Sequence, residues 1–313
     1  MRYLFNFFFF FFFFSLLSAQ EGMVTILEKG REEAVLFSLI QHRYNLDSQL
    51  PVEVWVEAGQ YESDELSILE TIQGVIVKTY PAEECLPLLF VCQYTSFSEF
   101  IYFDQDLVFT KDPAVLLKDP AYKLRGSLFF RSQLPNAKDI DEENYPEQTA
   151  HLKTLKKELR PFFGNMPYEF YKKLVKHLSL YAKTSSSLAS SSLFVLNKDF
   201  FPALIDIARM LSCENHYKSV KGVDLIWMAI FMNHSNVSVN ETSEINLVRE
   251  KDPKNIPAQL HQGSLLCLSA GYFKQNGAKE VVDESGSVKR RVSKEELEAL
   301  EALSNSYKSI IGD

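Results

Sequence analysis

The stretch Glu99-Phe-Ile-Tyr-Phe103 runs directly into Asp104-Gln105-Asp106, so that two carboxylates follow an apolar run of strand-forming residues. Aromatic and β-branched residues in a short run predict a buried strand. Three earlier apolar runs predict further strands, and segments with helical periodicity separate them: residues 23–27, 51–56 and 74–78. Strands that alternate with helices predict an α/β fold with a mixed, mainly parallel sheet flanked by helices.

The aspartate pair occupies the place where such a fold binds ligands. In open α/β sheets, ligands bind beyond the carboxyl ends of the strands. Carboxylates at positions i and i+2 can hold one divalent cation, which in turn bridges the phosphates of a nucleotide diphosphate. The tripeptide alone is a common pattern, and a solvated turn after a strand fits it equally well.

Composition excludes one class of partner. The chain has 313 residues, a formal net charge of −8 and a pI of about 5.4. A nucleic-acid-binding protein needs a basic surface to neutralise phosphates, so nucleic acid is not an expected partner.

The first 20 residues are typical of a targeting segment. Met1-Arg2 precedes an apolar stretch that contains eight consecutive phenylalanines at positions 7–14. The small residues at 15–20 suit cleavage of a signal peptide, while a short signal anchor fits the same stretch. Both readings place the protein in the lumen of the secretory pathway, the endoplasmic reticulum or the Golgi. Clustered glycosylation sequons at Asn233, Asn236 and Asn240 predict an exposed luminal loop.

The segment around the aspartate pair resembles the fungal-type α-mannosyltransferase family, glycosyltransferase family 71. The shared features are a serine-phenylalanine entry, a glutamate, an apolar strand, the two aspartates and a later aspartate-proline: Ser96-Phe97, Glu99, residues 100–103, Asp104 and Asp106, and Asp112-Pro113. The resemblance implies a GT-A (Rossmann-like) fold and a metal held by Asp104 and Asp106. It further implies GDP-mannose as donor, Mn²⁺ or Mg²⁺ as cofactor, and an α linkage made with retention on a glycan or glycoprotein acceptor.

Similar spacing continues over about residues 23–275. Lys198 follows a segment that resembles the family's strand and lysine, and we assign it to the donor phosphates, with a solvated charge as the alternative. Asp224 stands near a predicted helix start, and we assign it to the acceptor hydroxyl or the reacting sugar. A carboxylate at that position fits a helix N-cap equally well.

His261 is the histidine best placed to complete the metal site. Many GT-A enzymes take a metal ligand from a histidine on the C-terminal side, and His261 lies beside Gly263 ahead of an apolar run. A single histidine also fits a packing or surface role.

The predicted organisation has three parts. Residues 1–20 form the signal peptide or anchor, 21–285 the GT-A catalytic domain, and 286–313 a closing helix that begins with a Ser293/Glu296 capping box. Serines at 190 and 192 replace a glutamate and a glycine of the family pattern. Two alternatives therefore stay open: a glycogenin-like enzyme that uses a UDP-sugar, and a catalytically inactive secreted protein that binds carbohydrate.

Overall fold

The computed structural model describes residues 21–62, 66–84, 87–131, 189–200, 239–243, 245–248, 256–270, 280–282 and 288–311. Its strands are β1 (Glu21–Ile26), β2 (Val52–Glu57), β3 (Val75–Tyr80), β4 (Glu99–Phe103), β5 (Leu107–Phe109), β6 (Ser127–Arg131), β7 (Ala189–Asn197), β8 (Val239–Ser243), β9 (Ile245–Val248), β10 (Ile256–His261), β11 (Ser264–Ser269), β12 (Glu280–Val282) and β13 (Val288–Arg291). Its helices are α1 (Glu32–Ile40), α2 (Ser67–Glu70), α3 (Pro87–Tyr94), α4 (Ala114–Leu117), α5 (Pro120–Arg125) and α6 (Lys294–Ile311).

The larger sheet has seven strands in the order β3-β2-β1-β4-β7-β6-β8. Strands β1 to β4 pair with one another in parallel, whereas β7 is antiparallel to both β4 and β6. The predicted mixed, mainly parallel sheet is confirmed. Its order 3-2-1-4 reverses between β1 and β4, and open α/β sheets bind their ligands at such a reversal.

Strand β2 shows why this sheet is buried on both faces. Val52, Val54 and Val56 join the core on the face covered by α1. Glu53 and Trp55 point to the other face, where the Trp55 ring packs edge-on against Phe90 of α3 at 6.0 Å between centroids. A strand covered on both faces by helices is expected to read as a nearly continuous apolar run, as β2 does apart from Glu53.

A second sheet, antiparallel throughout, lies beside the first in the order β13-β12-β9-β10-β11-β5. No sequence pattern predicted this second sheet. Its apolar face packs against α1 and α6, with the ring of Phe37 edge-on to that of Tyr307 at 4.9 Å between centroids. Since β5 follows β4 after three residues, Asp104 to Asp106 form the connection between the two sheets.

Helix α6 begins as predicted. The Glu296 N–H donates to the Ser293 hydroxyl at 3.2 Å, and the Ser293 N–H donates to the Glu296 carboxylate at 3.0 Å. This reciprocal pair is a capping box. The predicted closing segment, residues 286–313, also includes strand β13, so the helix forms only part of it.

Some predictions fall outside the described residues, among them the N-terminal segment 1–20 and the sequons at Asn233 and Asn236. Asn240 lies in strand β8 and not in the predicted loop. In the ranges that the structure describes, no helix has both the length and the apolar composition required to cross a membrane.

Candidate active site

The Asp104-Gln105-Asp106 connection is held by both sheets. The Asp104 N–H donates to the Ser192 carbonyl of β7 at 2.8 Å, and the Ala270 N–H, directly after β11, donates to the Asp106 carbonyl at 2.7 Å. The Leu107 N–H closes a tight turn on the Asp104 carbonyl at 2.9 Å. Both aspartates therefore have fixed backbones at the carboxyl end of β4, beside the reversal of strand order.

Gln105, the residue between the two aspartates, ties this turn to the end of β1. Its buried side-chain carbonyl accepts the Glu28 N–H at 2.8 Å, and its amide nitrogen donates to the Glu28 carboxylate at 3.1 Å. Both polar ends of the amide are satisfied by one residue. Gln105 thus brings a third carboxylate, Glu28, to the same edge of the sheet.

Asp104 carries a negative charge in unfavourable surroundings. Burial raises the pKa of the Asp104 carboxyl, and the negative charges of Asp106 and Glu28 raise it further. The Asp106 N–H, at 3.2 Å from Asp104 Oδ1, and the charge of Arg31 offset the rise in part. A bound cation would relieve this destabilisation, because opposite charge favours the ionised carboxylate.

Asp106 is partly exposed. Its side chain is 37% exposed, and Arg31 Nη1 lies 3.3 Å from Oδ2 and 3.4 Å from Oδ1. The Arg31 side chain is itself 55% exposed, so solvent screens the pair. Asp106 is therefore only weakly neutralised.

The loop after β1 positions Arg31. Gly30 has a φ of +89°, a left-handed conformation that strains any side chain-bearing residue, and its N–H donates to the Glu32 carboxylate at 2.9 Å. The Tyr61 hydroxyl donates to the same carboxylate at 2.9 Å. Arg31 thus occupies the N-cap of α1, facing the aspartate pair.

The carboxylate pair fits a divalent cation that is shared with a substrate. No group of three or more histidine, cysteine, aspartate or glutamate side chains in the described ranges could enclose a metal. Mg²⁺ and similar ions are commonly bound by one or two carboxylates, with substrate phosphates and water as the other ligands. Asp104 and Asp106 supply such a pair, and the raised pKa of Asp104 is consistent with a place for positive charge.

The structure does not bring Lys198 to the aspartate pair. Strand β7 is antiparallel to β4 and pairs Asn197 with Glu99, so Lys198 lies at the amino end of β4. Its N–H donates to the Ser98 carbonyl, six residues or about 20 Å of extended chain before Asp104. The Lys198 ammonium donates to the Thr95 carbonyl at 2.5 Å. Lys198 therefore secures the loop before β4 and does not face the proposed phosphate site.

His261 is also separated from the pair. Ser269 of β11 is paired with Leu107 beside Asp106, whereas His261 is paired with Ser264, five residues or about 17 Å further along β11. The buried His261 ring donates through Nε2 to the Asp119 carboxylate at 2.9 Å. Asp119 in turn caps α5 by accepting the Ala121 and Tyr122 N–H groups. Of the two roles considered for His261, the structure supports packing.

Asp224, assigned to the acceptor or the reacting sugar, lies outside the described residues. Sequence reasoning missed the other groups at the site: Glu28, Arg31 and Gln105. Gln105 stood between two noted residues but carries no charge, and neither Glu28 nor Arg31 belongs to a recognisable motif. Their proximity depends on the parallel pairing of β1 with β4, which joins residues about 75 positions apart.

A family model matches most of the chain. Residues 20–269 match the model of Mannosyl_trans3, a mannosyltransferase family. The chain belongs to this family. The mannosyltransferase resemblance seen around Asp104 is confirmed, and the chain is a glycosyltransferase. A comparison with curated proteins found no match.

Solved glycosyltransferase structures are similar to this chain only at low sequence identity and low TM-score. The mannosyltransferase Ktr4p from S. cerevisiae is 11% identical, with a TM-score of 0.48 over 71% of this chain and 68% of its own. The galactosyltransferase LgtC is 10% identical, with a TM-score of 0.44 over 70% and 73%. GlyE of Streptococcus pneumoniae TIGR4 is 12% identical, with a TM-score of 0.42 over 72% and 46%.

Proposed function

We propose that this chain transfers mannose from GDP-mannose to a glycan or glycoprotein acceptor, with retention of the α linkage. Membership of a mannosyltransferase family supports the sugar. The half-buried, poorly neutralised Asp104 beside Asp106, at the reversal of strand order, is the observation that carries the proposal. In this proposal, Asp104 and Asp106 hold Mn²⁺ or Mg²⁺.

The contribution of the chain is to fix the two carboxylates. A divalent cation bound there would neutralise charge on the departing nucleotide diphosphate, a contribution worth several kcal/mol in metal-assisted reactions. Backbone bonds from both sheets hold Asp104 and Asp106 before any ligand arrives, so little reorganisation is needed when it binds. Gln105 and Glu28 keep the end of β1 against the same turn.

The setting proposed for this reaction is the lumen of the endoplasmic reticulum or Golgi. This proposal rests on the residues 1–20, whose sequence is typical of a signal peptide or a short membrane anchor. Fusion of these residues to a reporter protein, followed by fractionation of the cells, tests it. Recovery of the reporter in the cytosol would contradict the proposal.

A donor screen tests the proposed chemistry. The full chain is incubated with Mn²⁺ and GDP-mannose, UDP-glucose or UDP-galactose, and released nucleotide is measured with and without a mannoside acceptor. Of the three donors, we expect turnover only of GDP-mannose. This turnover should be lost when the metal is chelated. Turnover of a UDP-sugar instead would support a glycogenin-like enzyme, and no turnover with any donor would support an inactive carbohydrate-binding protein.

A further inference from the structure

The ion pair between Arg31 and Asp106 occupies the oxygens that the proposed cation needs. One guanidinium nitrogen, Nη1, faces both Asp106 carboxylate oxygens, at 3.3 and 3.4 Å. A divalent cation bound to both oxygens would occupy the place of Arg31 Nη1, and the two positive charges would repel each other. Arg31 and the metal are therefore alternative partners of Asp106.

The ion pair between Arg31 and Asp106 is weak enough for a divalent cation to displace Arg31. Its two side chains are 55% and 37% exposed, and ion pairs of this kind alter an equilibrium by only about 1.4- to 5-fold. A divalent cation carries twice the charge of Arg31 and would also meet the carboxylate of Asp104, whose Oδ1 lies 3.2 Å from the Asp106 N–H. The divalent cation is therefore attracted more strongly to this pair of carboxylates than the guanidinium is.

The backbone of Arg31 stays at the site when its side chain leaves. Gln105 holds the neighbouring Glu28, and the contact between the Gly30 N–H and Glu32 closes the other side of the loop. A released guanidinium at this rim would lie beside the phosphates of a metal-bound donor. Guanidinium groups bind phosphate through paired, charge-assisted hydrogen bonds.

Building on the proposed function, we propose that Arg31 is a switching residue for the donor. It pairs with Asp106 while the metal is absent, yields that carboxylate to the divalent cation, and then binds the diphosphate of the nucleotide-sugar. Arg31 would thereby make metal and donor binding interdependent, because binding of the metal to Asp106 releases the guanidinium that then binds the donor diphosphate.

The substitution Arg31→Gln separates the two roles. Binding of Mn²⁺ to the full chain, followed by the electron paramagnetic resonance signal of free Mn²⁺, is expected to tighten by about 2- to 5-fold. Binding of GDP at saturating Mn²⁺, followed by calorimetry, is expected to weaken by about 10-fold or more. Unchanged or weaker Mn²⁺ binding would overturn the exchange at Asp106, and unchanged GDP binding would overturn the contact with the diphosphate.

Lys29→Gln is the matched control. It removes the same charge from the same loop, but the Lys29 ammonium lies 3.5 Å from the Gln60 carbonyl and forms no ion pair with Asp106. We expect both affinities to stay within about 2-fold of wild type. Equal changes in Mn²⁺ affinity for Lys29→Gln and Arg31→Gln would attribute the effect to net charge and overturn the proposal.

The wild-type titration distinguishes this inference from the function on which it rests. Absence of Mn²⁺ binding by the wild-type chain would refute the proposed metal site. Wild-type binding that is lost in Asp106→Asn but unaffected by Arg31→Gln would leave the metal site in place and refute only the role of Arg31.

Discussion

Two carboxylates of the larger sheet have opposite surroundings. Glu53, on β2 beneath α3, has a fully buried side chain that accepts hydrogen bonds from the Trp55 indole, the Lys78 ammonium and the N–H and hydroxyl of Ser96. Asp104, at the end of β4, has carboxylates as near neighbours, and only the Asp106 N–H and the charge of the exposed Arg31 offset them. The charge of Glu53 is therefore fully hydrogen-bonded, whereas that of Asp104 is only partly compensated.

The pKa values follow this difference. Burial raises the pKa of Glu53, but hydrogen bonds from Lys78, Ser96 and Thr95 outweigh it, so the pKa lies below the ordinary value of 4.5. The pKa of Asp104 lies above its ordinary value. A buried carboxylate with full hydrogen bonding stabilises the fold, whereas a half-buried carboxylate among like charges is suited to bind an external cation.

The largest expected effect is at the metal site. Asp106→Asn keeps the shape of the side chain but removes its charge, so Mn²⁺ binding should be lost and mannose transfer should fall by about 10³-fold, or about 4 kcal/mol. Initial rates with GDP-mannose and Mn²⁺ titrations measure both. Asp199→Asn, which removes an exposed carboxylate from the turn after β7, serves as the control and should behave as wild type. Retained transfer in Asp106→Asn would refute the metal role.

The second effect is on stability at Glu53. Glu53→Ala leaves Lys78, Trp55 and Ser96 without their common acceptor, so the free energy of unfolding should fall by about 3 kcal/mol. Denaturant unfolding followed by circular dichroism measures it. Glu57→Gln, at the partly exposed end of the same strand, should change stability by less than about 0.5 kcal/mol. A tolerated Glu53→Ala would show that the hydrogen bonds around Glu53 add little.

His261→Gln should have a smaller effect, confined to stability. Loss of the bond to Asp119 should cost about 1–2 kcal/mol of unfolding free energy, because a half-buried carboxylate loses a donor while keeping its role as the cap of α5. Thermal unfolding and a Mn²⁺ titration are the measurements. Mn²⁺ affinity that falls together with stability would restore His261 as a metal ligand.

The smallest effect is the pH dependence of the Glu53 contribution. Because the folded-state pKa of Glu53 is lowered, its ionised form stabilises the fold above about pH 4.5, and this stabilisation declines as the pH falls from there through the folded pKa. The difference in unfolding free energy between wild type and Glu53→Gln should therefore be constant from pH 8 to 6 and shrink below 4.5. If the free-energy difference between wild type and Glu53→Gln grew as the pH fell, the lowered pKa of Glu53 would be contradicted.

Strands β1 to β4 of the larger sheet were predictable because each contains a short apolar run, whereas the polar strand β8 of the same sheet was not predicted. The prediction for β4 coincides with the observed Glu99–Phe103, and β1 to β3 differ from prediction by no more than two residues at either end. The second sheet was not predicted, since strands such as β10 and β12 are short and mix polar with apolar residues. Their pairing relies on partners that are distant in sequence.

Part of the family motif supports strand β4, and part of it lies at the proposed site. Ser96 donates to Glu53, and Phe97 is buried against Gly22, where an added Cβ would lie 2.4 Å from its ring. Glu99 accepts the Tyr122 hydroxyl at 2.7 Å. These residues position β4, and only the aspartates at its end face the proposed ligand. A sequence motif does not distinguish residues that position the strand from residues that face the ligand, because both roles restrict the residue type.

Sequence alone determined the α/β class, the strand that ends in two aspartates and the family, because apolar periodicity and a contiguous motif are local properties. Tertiary structure decided which distant residues meet those aspartates. Parallel pairing of β1 with β4 brought Glu28 and Arg31 to them, while antiparallel pairing carried Lys198 to the far end of β4 and His261 along β11 to Asp119. Strand direction and register, which sequence spacing does not encode, set these distances.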